Sequence, residues 1–311
     1  MNKIPVLIQR EFWEHRNTFV ILPAVITLFF ILMVSMGYTL VDYVTIHSDV
    51  KYEANVDDEH WSDHSYELSF EDKLDQMFAA LERMPEWKRE ESIAKVLKVL
   101  SAPLLVTLWF VVFFYLVSCL YDDRKDRSIL FWKSLPVADS ATVLVKLLTA
   151  VVVVPVIYLV GVMAIHLTVL LLGTFATIES ETSPWELLWA PAHLLTTWLK
   201  MLVFLLGQVI WCLPFYGWIV LVSSKAKSVP LAWIIGLPIA ISIVEVMFTD
   251  GRPVTEFYFR HLAPIFFTNN LDADLGYVAD KLLSTDGVLG VAVGAGFIGL
   301  AVYFRSRADE I

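Results

Sequence analysis

The sequence contains few of the residues that would build a redox, metal or nucleic-acid site. Only two of its 311 residues are cysteines, Cys119 and Cys212. Both fall in apolar segments, outside any C-x-x-C or mixed cysteine–histidine cluster, so we interpret them as small buried hydrophobic residues. Lysine and arginine number 23 against 33 acids, a net charge of −10. With no basic stripe, this balance argues against nucleic acid as a partner.

A nucleotide-binding loop is also missing. No G-x-x-x-x-G-K-[ST] occurs, so we expect this chain to bind no cofactor and to hydrolyse no ATP itself. The run Gly294–Gly299 matches G-x-G-x-x-G, but no strand precedes it and it lies within an apolar segment. Together with Gly290 and Ala295 it predicts close-packing faces for a neighbouring helix.

A metal site is not expected either. His60 and His64 lie four residues apart among acids, and on a helix two such imidazoles could share a metal. A hydrated acidic surface is the commoner explanation of this pattern, and we assign no metal ligands.

Long apolar segments dominate the rest. Hydrophobic residues make up 57% of the chain and charged residues 18%, and the mean hydropathy is +0.64. Because a helix of roughly 20 apolar residues crosses a bilayer, and because lipid offers no partner to unpaired backbone groups, we predict an all-α membrane protein. The six predicted transmembrane helices are 18–40, 101–120, 142–172, 196–222, 229–249 and 286–304. The first is longer than a signal-peptide core and lacks a cleavage site, so we expect it to stay as an anchor.

Lysine and arginine mark one side of the membrane. The bases there are Lys3, Arg10, Arg16, Arg124, Lys125, Arg127, Lys133, Lys225, Lys227, Arg305 and Arg307. Connections on the other side are poor in them, and 173–195 contains none. The positive-inside rule therefore predicts that both termini are cytoplasmic, and we assign the chain to a bacterial inner membrane.

Three segments outside the spans have patterns of their own. Residues 1–17 carry an apolar stripe that includes Ile4 and Phe12, which predicts a helix lying in the membrane interface, with Arg10 and Glu11 on its polar side. Residues 41–100, with fifteen acids against seven bases, predict an extracytoplasmic domain that ends in two amphipathic helices broken at Met84–Pro85. Residues 250–285 are rich in aromatics and predict an outer segment that re-enters the membrane.

The connection 121–141 between the second and third spans is the most informative stretch. Its charged half, Asp122–Arg127, is followed by the apolar half Ile129–Trp132, and Leu135-Pro136 ends the segment. Asp139 or Ser140 is positioned to cap the next helix. Paired charges followed by a Leu-Phe-Trp surface are typical of a loop that docks on another protein.

This connection resembles that of the type-2 ABC exporter permeases, which reads approximately acid-R-x-x-G-T-h-x-x-L-x-x-x-P and then a lysine. Here the acid is Asp123, the threonine position is Ser128, the proline is Pro136 and the lysine is Lys146. The glycine position is Arg127, a departure that puts the turn there in doubt. The interfacial helix, six spans and cytoplasmic termini extend the resemblance over the whole chain.

The resemblance implies a transport subunit without enzymatic activity of its own. A second copy of the chain and a separate ATPase subunit, which carries the ATP and Mg, would complete the exporter, and the connection would be the coupling helix in a cleft of that ATPase. The implied contacts are Asp122, Asp123, Arg124, Asp126, Arg127, Ser128, Ile129, Phe131, Trp132 and Pro136. The resemblance also suggests that the first and fifth spans form the dimer contact.

Candidates for the cargo pathway lie within the spans. The aromatic stripe of the second span and three polar residues elsewhere are compatible with an amphipathic or hydrophobic cargo, whether a small molecule, a peptide or a lipid. These residues are Trp109, Phe110, Phe113, Phe114, His166, Gln208 and Glu245. Polar groups inside a membrane are functional candidates by default, although a structural cluster in which Glu245 pairs with His166 or Lys200 is favoured. Membrane lipid is the other expected contact.

Another class of function remains open from the sequence. A non-transporting membrane scaffold or sensor, whose acidic outer domain binds a partner, would have the same spans and the same topology. The docking pattern of the 121–141 connection is the feature that favours the exporter subunit over it.

Overall fold

The computed structural model describes residues 4–36, 70–134, 136–177, 183–248, 252–262 and 275–308. All regular structure in these ranges is helical. The helices are α1 Ile4–Glu14, α2 Asn17–Met36, α3 Phe70–Arg83, α4 Glu86–Ser118, α5 Tyr121–Lys125, α6 Ser128–Ser134, α7 Asp139–Leu148, α8 Val154–Ala176, α9 Ala190–Ala192, α10 Leu194–Trp211, α11 Leu213–Lys225, α12 Pro230–Phe248, α13 Pro253–Leu262, α14 Leu275–Leu283 and α15 Thr285–Ser306. Three π-helical turns interrupt this series at Asn17–Ile21, Thr149–Val153 and Trp185–Trp189.

Six helical stretches in the described residues are long and apolar enough to cross a membrane, as predicted. They are Asn17–Met36, Glu86–Lys125, Asp139–Ala176, Trp185–Trp211, Pro230–Phe248 and Thr285–Ser306. The second extends well beyond its predicted start, because α4 runs without a break from Glu86 to Ser118. The amphipathic helix expected after Met84–Pro85 therefore continues directly into the span. The earlier part of the predicted outer domain, 41–69, lies outside the described residues, and so do His60 and His64.

The fourth predicted span, 196–222, is divided in the structure. Helix α10 ends at Trp211 and α11 begins at Leu213, with Pro214 in its first turn. Proline has no N–H to donate and its ring clashes with the carbonyl one turn earlier, so a new helix beginning just before Pro214 is the physical consequence. The predicted fourth span therefore contains a helix break at Cys212, next to Pro214.

The chain divides into two compact units. The smaller comprises Ala24–Leu104 and Val160–Trp198. Its buried core contains Ile93, Leu97, Leu170, Leu187, Leu188 and Ala192. Arg89 stabilises the turn between α3 and α4, since its guanidinium donates to the carbonyls of Leu81, Glu82 and Met84. These carbonyls lie at the end of α3, where a helix leaves acceptors unpaired.

The larger unit comprises Met1–Pro23, Leu105–Leu159 and Leu199–Ile311. Its closest helix pair is α11 with α15, whose backbones meet at glycines. A Cβ atom added to Gly217 would lie 2.7 Å from the carbonyl oxygen of Gly294, and one added to Gly294 would lie 2.7 Å from the carbonyl of Leu213. The close-packing face predicted for Gly290 and Gly294 is thus present, because only residues without a side chain allow this approach.

The outer connection 250–285 contains two short helices in its described parts, α13 and α14. Helix α13 begins against α12, where Glu245 accepts hydrogen bonds from the backbone of Val254 and Thr255 at 2.8 and 2.9 Å. A carboxylate there satisfies the free N–H groups of the helix start. Whether the segment re-enters a membrane stays a prediction.

Candidate functional site: a buried charge network and the loop it holds

The connection between the second and third spans folds into two short helices, α5 and α6. They are joined at Arg127, which has a positive φ of 61°. This left-handed conformation favours glycine, because a Cβ atom crowds the backbone there. The position where the permease family has glycine therefore has the conformation that glycine suits, although this chain carries arginine.

Three carboxylates and two bases meet beneath this loop. Glu11, Asp123, Asp139, Lys146 and Arg305 are here called the charge network. Asp123 is its centre: its Oδ1 lies 3.4 Å from Lys146 Nζ and its Oδ2 lies 2.9 Å from Arg305 Nη1. Lys146 Nζ also lies 3.0 Å from Glu11 Oε1, and Arg305 Nε lies 3.5 Å from Asp139 Oδ1.

The charge network is enclosed by protein. The side chains of Glu11, Asp123, Lys146 and Arg305 are 4%, 9%, 6% and 2% exposed. Desolvating ions costs several kcal/mol each, and close opposite charges offset that cost only when the geometry is good. Removing Lys146 would leave the Glu11 carboxylate buried without a cation, whereas Asp123 would keep Arg305.

Hydrogen bonds complete the anchoring of the loop. The Tyr115 hydroxyl donates to Glu11 Oε2 at 2.9 Å. Arg124, also buried, donates to the carbonyls of Ser223 and Ala226 at the end of α11. The Ser223 hydroxyl in turn accepts from the backbone N–H of Leu120 at 3.2 Å. Helix α5 is therefore tied to α1, α7, α11 and α15 at once.

Helix α6 presents two different faces. Ile129 and Trp132, three residues apart, are buried at 0% and 6% exposure. Leu130 and Phe131 are 53% and 59% exposed. Arg10 of α1 covers the Trp132 ring at 3.5 Å, which fixes the inner face against the N-terminal helix.

The side chains of the coupling prediction therefore separate into two groups. Asp123, Arg124, Ile129 and Trp132 lie inside the chain, where they hold the loop, so they do not present a surface to a partner. Exposed or half-exposed are Asp122, Asp126, Arg127, Ser128, Phe131 and Pro136. Leu130, which is not among the predicted contacts, belongs with the exposed group.

The network brings together segments that are far apart in the sequence. Lys133 of α6 donates to the carbonyl of Ala308 near the C-terminal end, and Arg10 near the N-terminal end covers Trp132. The first helix, the 121–141 connection, the end of α11 and the end of α15 thus meet at the same end of the larger unit. These are the segments in which the basic residues were found.

Two network members were misinterpreted from the sequence. Glu11 was placed on the polar, exposed side of α1, yet it is the only buried residue of that helix. Asp139 or Ser140 was expected to cap α7, but the N-cap residue is Ala138, and Asp139 lies in the first turn of that helix and contacts Arg305. Two features of the sequence pointed to these residues: Glu11 lies beside the apolar stripe, and Arg305 lies in the last turn of a span. Neither feature shows that Glu11 pairs with Lys146 or that Arg305 pairs with Asp139.

The predicted aromatic stripe faces two directions. Trp109 and Phe113 stack with parallel rings, centroids 5.8 Å apart, and both stack on Phe215 of α11. Phe110 and Phe114 are instead 48% and 54% exposed. A single cargo-lining face made of all four is therefore not what the structure shows.

The three polar pathway candidates have local partners. His166 lies among Ser101, Leu97 and Trp198 in the smaller unit. Gln208 donates to the sulfur of Cys212 one turn along α10. Glu245 accepts from the start of α13, as described above, whereas His166 or Lys200 was the partner expected for it. All three have structural tasks.

In the part of the chain that the structure describes, no three His, Cys, Asp or Glu side chains are grouped so as to hold a metal ion. What the charge network supplies is a rigid attachment for an exposed two-helix loop.

The fold and this site define a class, the multi-pass helical membrane proteins with a buried ionic anchor at one end. Comparison with protein-family models, curated proteins and solved structures finds no match for the chain.

Proposed function

We propose that this chain is the membrane-spanning subunit of an ATP-driven exporter. It would act with a second copy of itself and with a separate ATPase subunit that binds ATP and Mg, and would move an amphipathic or hydrophobic cargo out of the cytoplasm or the inner membrane. The observation that carries the proposal is the 121–134 loop: it exposes Leu130 and Phe131 while buried ion pairs hold its base.

A coupling element must be both exposed and stiff. Exposure lets it enter a cleft of the ATPase, and stiffness lets a push on the loop move the helices instead of bending the loop. Here Asp123 transfers such a push to α7 through Lys146 and to α15 through Arg305. Nucleotide-driven closure of the ATPase pair would then rotate the spans as rigid bodies.

The exposed face has the composition of a protein interface. Two adjacent large apolar side chains, Leu130 and Phe131, are flanked by the charges of Asp126, Arg127 and Lys133. An apolar centre with a polar rim is the usual anatomy of a specific contact, and aromatic anchors contribute most of the binding free energy.

The fifth span has the exposure expected of a dimer contact. Only 6% of the apolar stretch of α12 and 17% of that of α2 are buried within the chain. The proposal that these two spans meet those of a second copy is compatible with that, since both leave their apolar faces uncovered.

The test is co-purification of the full chain with the ATPase subunit encoded beside it. We expect a two-plus-two complex with wild-type chain, and its loss with Leu130→Ser/Phe131→Ser. The matched control is Val254→Ser/Phe259→Ser on α13, where two apolar residues are similarly exposed, at 56% and 49%, on the opposite connection.

Retention of the ATPase by the loop variant, or absence of any ATPase from the wild-type preparation, would overturn the proposal. The scaffold or sensor function would then lead, and the acidic segment 41–100 would be the bait with which to search for its partner.

A further inference from the structure

A groove lies between the start of the first span and one face of the second. Its volume is about 390 Å³, within the range of ligand-binding clefts. One wall is formed by residues 15–22, which include the π turn Asn17–Ile21, and the other by α4 between Thr107 and Ser118. All of its lining belongs to the larger unit.

The polarity of the groove changes along its length. His15, Thr18 and Ser118 line the end beside the charge network, whereas the end deeper in the spans is lined by Leu22, Phe110 and one polar residue, Thr107. An amphiphile has the same order, with a polar head followed by an apolar chain.

His15 is a half-buried polar residue that the network does not use. Its ring packs edge-on against Tyr115, with centroids 5.0 Å apart, and against Phe19. The structure gives its ring nitrogens no hydrogen-bond partner among the described residues. Burial lowers the pKa of His15, so near neutral pH the imidazole offers one donor and one acceptor.

The charges at the polar end favour a zwitterionic head. Arg10 and Glu14 neutralise each other at 3.0 Å. Arg16, exposed next to His15, is a base suited to a phosphate, and Asp122, one turn beyond Ser118, is an acid suited to an ammonium group. Head and rim are therefore complementary in charge.

We propose that this groove binds one phospholipid with a zwitterionic, amine-bearing head, whose head contacts His15, Thr18 and Ser118 and whose acyl chain lies along Phe110 and Phe114. This site does not depend on the proposed transport function. Because Tyr115 lines the groove and also donates to Glu11, the bound lipid packs against the charge network itself.

The experiment uses the full chain without any ATPase subunit, so that its outcome is separate from that of the proposed function. The chain is purified in detergent micelles that contain a trace of phosphatidylethanolamine with a photoreactive acyl chain. Cross-linked peptides are then mapped and quantified. We expect cross-links concentrated on residues 15–22 and 107–118.

Leu22→Trp should fill the groove and reduce those cross-links at least fivefold. Ile21→Trp is the matched control, since Ile21 is adjacent and exposed but does not line the groove, and it should leave them unchanged. An excess of unlabelled phosphatidylethanolamine should compete more strongly than phosphatidylglycerol. Cross-links spread evenly over the spans, an equal effect of both variants, or stronger competition by phosphatidylglycerol or by free fatty acid would overturn the proposal.

Discussion

The described residues form two buried polar clusters, one held by ion pairs and the other by neutral hydrogen bonds. The charge network holds ions, and its centre Asp123 contacts two bases. The cluster around His166 holds no ion pair: Trp198 donates to Nδ1 at 3.2 Å, and Nε2 lies 2.8 Å from the carbonyl oxygen of Leu97 and 2.9 Å from Ser101 Oγ. A neutral imidazole with its proton on Nε2 satisfies all of these contacts.

The comparison shows what each kind of cluster contributes. Removing one partner of a buried neutral hydrogen bond costs about 1–3 kcal/mol of stability. Such bonds are therefore suited to helices that need only to stay together. A buried ionic cluster loses much when one member is removed, because the remaining charge has no partner. The chain has the ionic cluster at the base of its exposed loop, where a fixed connection matters most.

The largest effect is expected from breaking the ionic cluster. Lys146→Met leaves the carboxylates of Glu11 and Asp123 buried without their shared cation, and should lower the free energy of unfolding by about 3–5 kcal/mol. Thermal unfolding in detergent measures it. Lys125→Met, an exposed lysine of the same loop, should change little.

The same comparison predicts a rescue. Glu11→Gln added to Lys146→Met removes one charge of each sign and keeps the Asp123–Arg305 pair, so most of the lost stability should return. An unfolding temperature equal to that of the wild type for Lys146→Met alone would contradict the ionic account.

A smaller effect is expected from the neutral cluster. Trp198→Phe removes the donor to His166 and leaves a buried acceptor unpaired, at a cost of about 1–3 kcal/mol. Trp185→Phe, at an indole that is 64% exposed, is the control in the same unfolding assay. A loss as large as that of Lys146→Met would remove the distinction between the clusters.

A third prediction concerns pH. Burial lowers the pKa of His15 in the folded chain, so as pH falls through the ordinary histidine range the unfolded chain takes up the proton first. Stability should therefore decrease from pH 7.5 to pH 5.5 and be fully present above the unfolded pKa. In His15→Gln this loss of stability between pH 7.5 and pH 5.5 should disappear. If the variant loses as much stability over that range as the wild type, a group other than His15 is responsible.

The smallest effect is expected at the turn between α5 and α6. Arg127→Gly relieves the left-handed strain, which is of the order of 1 kcal/mol, but adds freedom to the unfolded chain. The net result should be a gain below about 1 kcal/mol in the unfolding assay. A clear loss would show that the Arg127 side chain stabilises the loop by more than the strain costs.

Local patterns allowed much of the fold to be predicted. Long apolar runs identified the six spans, and Met84-Pro85 identified the break before α4, because both signals lie within a few adjacent residues. Pro214 alone could not locate a full helix break in the fourth span, since proline is also tolerated within membrane helices when neighbours satisfy the freed groups.

The site was predictable only in part. Lys146 and Asp123 stood out through their spacing around Pro136, but the burial of Glu11 and the contact of Asp123 with Arg305 join residues more than 100 positions apart. An amphipathic pattern assigns a glutamate to the wet side of a helix, and only tertiary pairing reverses that. The same holds for Trp132, whose inward direction is set by Arg10.

Two π turns determine how the chain would respond to the loss of a single residue near the charge network. Glu11 and Lys146, paired at 3.0 Å, stand just before Asn17–Ile21 and Thr149–Val153 respectively. A π turn accommodates one residue more than an α-helical turn, so deleting one residue there would restore regular winding. Because the extra residue is taken up within the turn itself, the helices on either side should keep their phase, and Glu11 and Lys146 should still face each other. A single-residue deletion at these two places should consequently be tolerated better than one in the regular part of α1 or α7, where it would rotate one side by about 100° relative to the other.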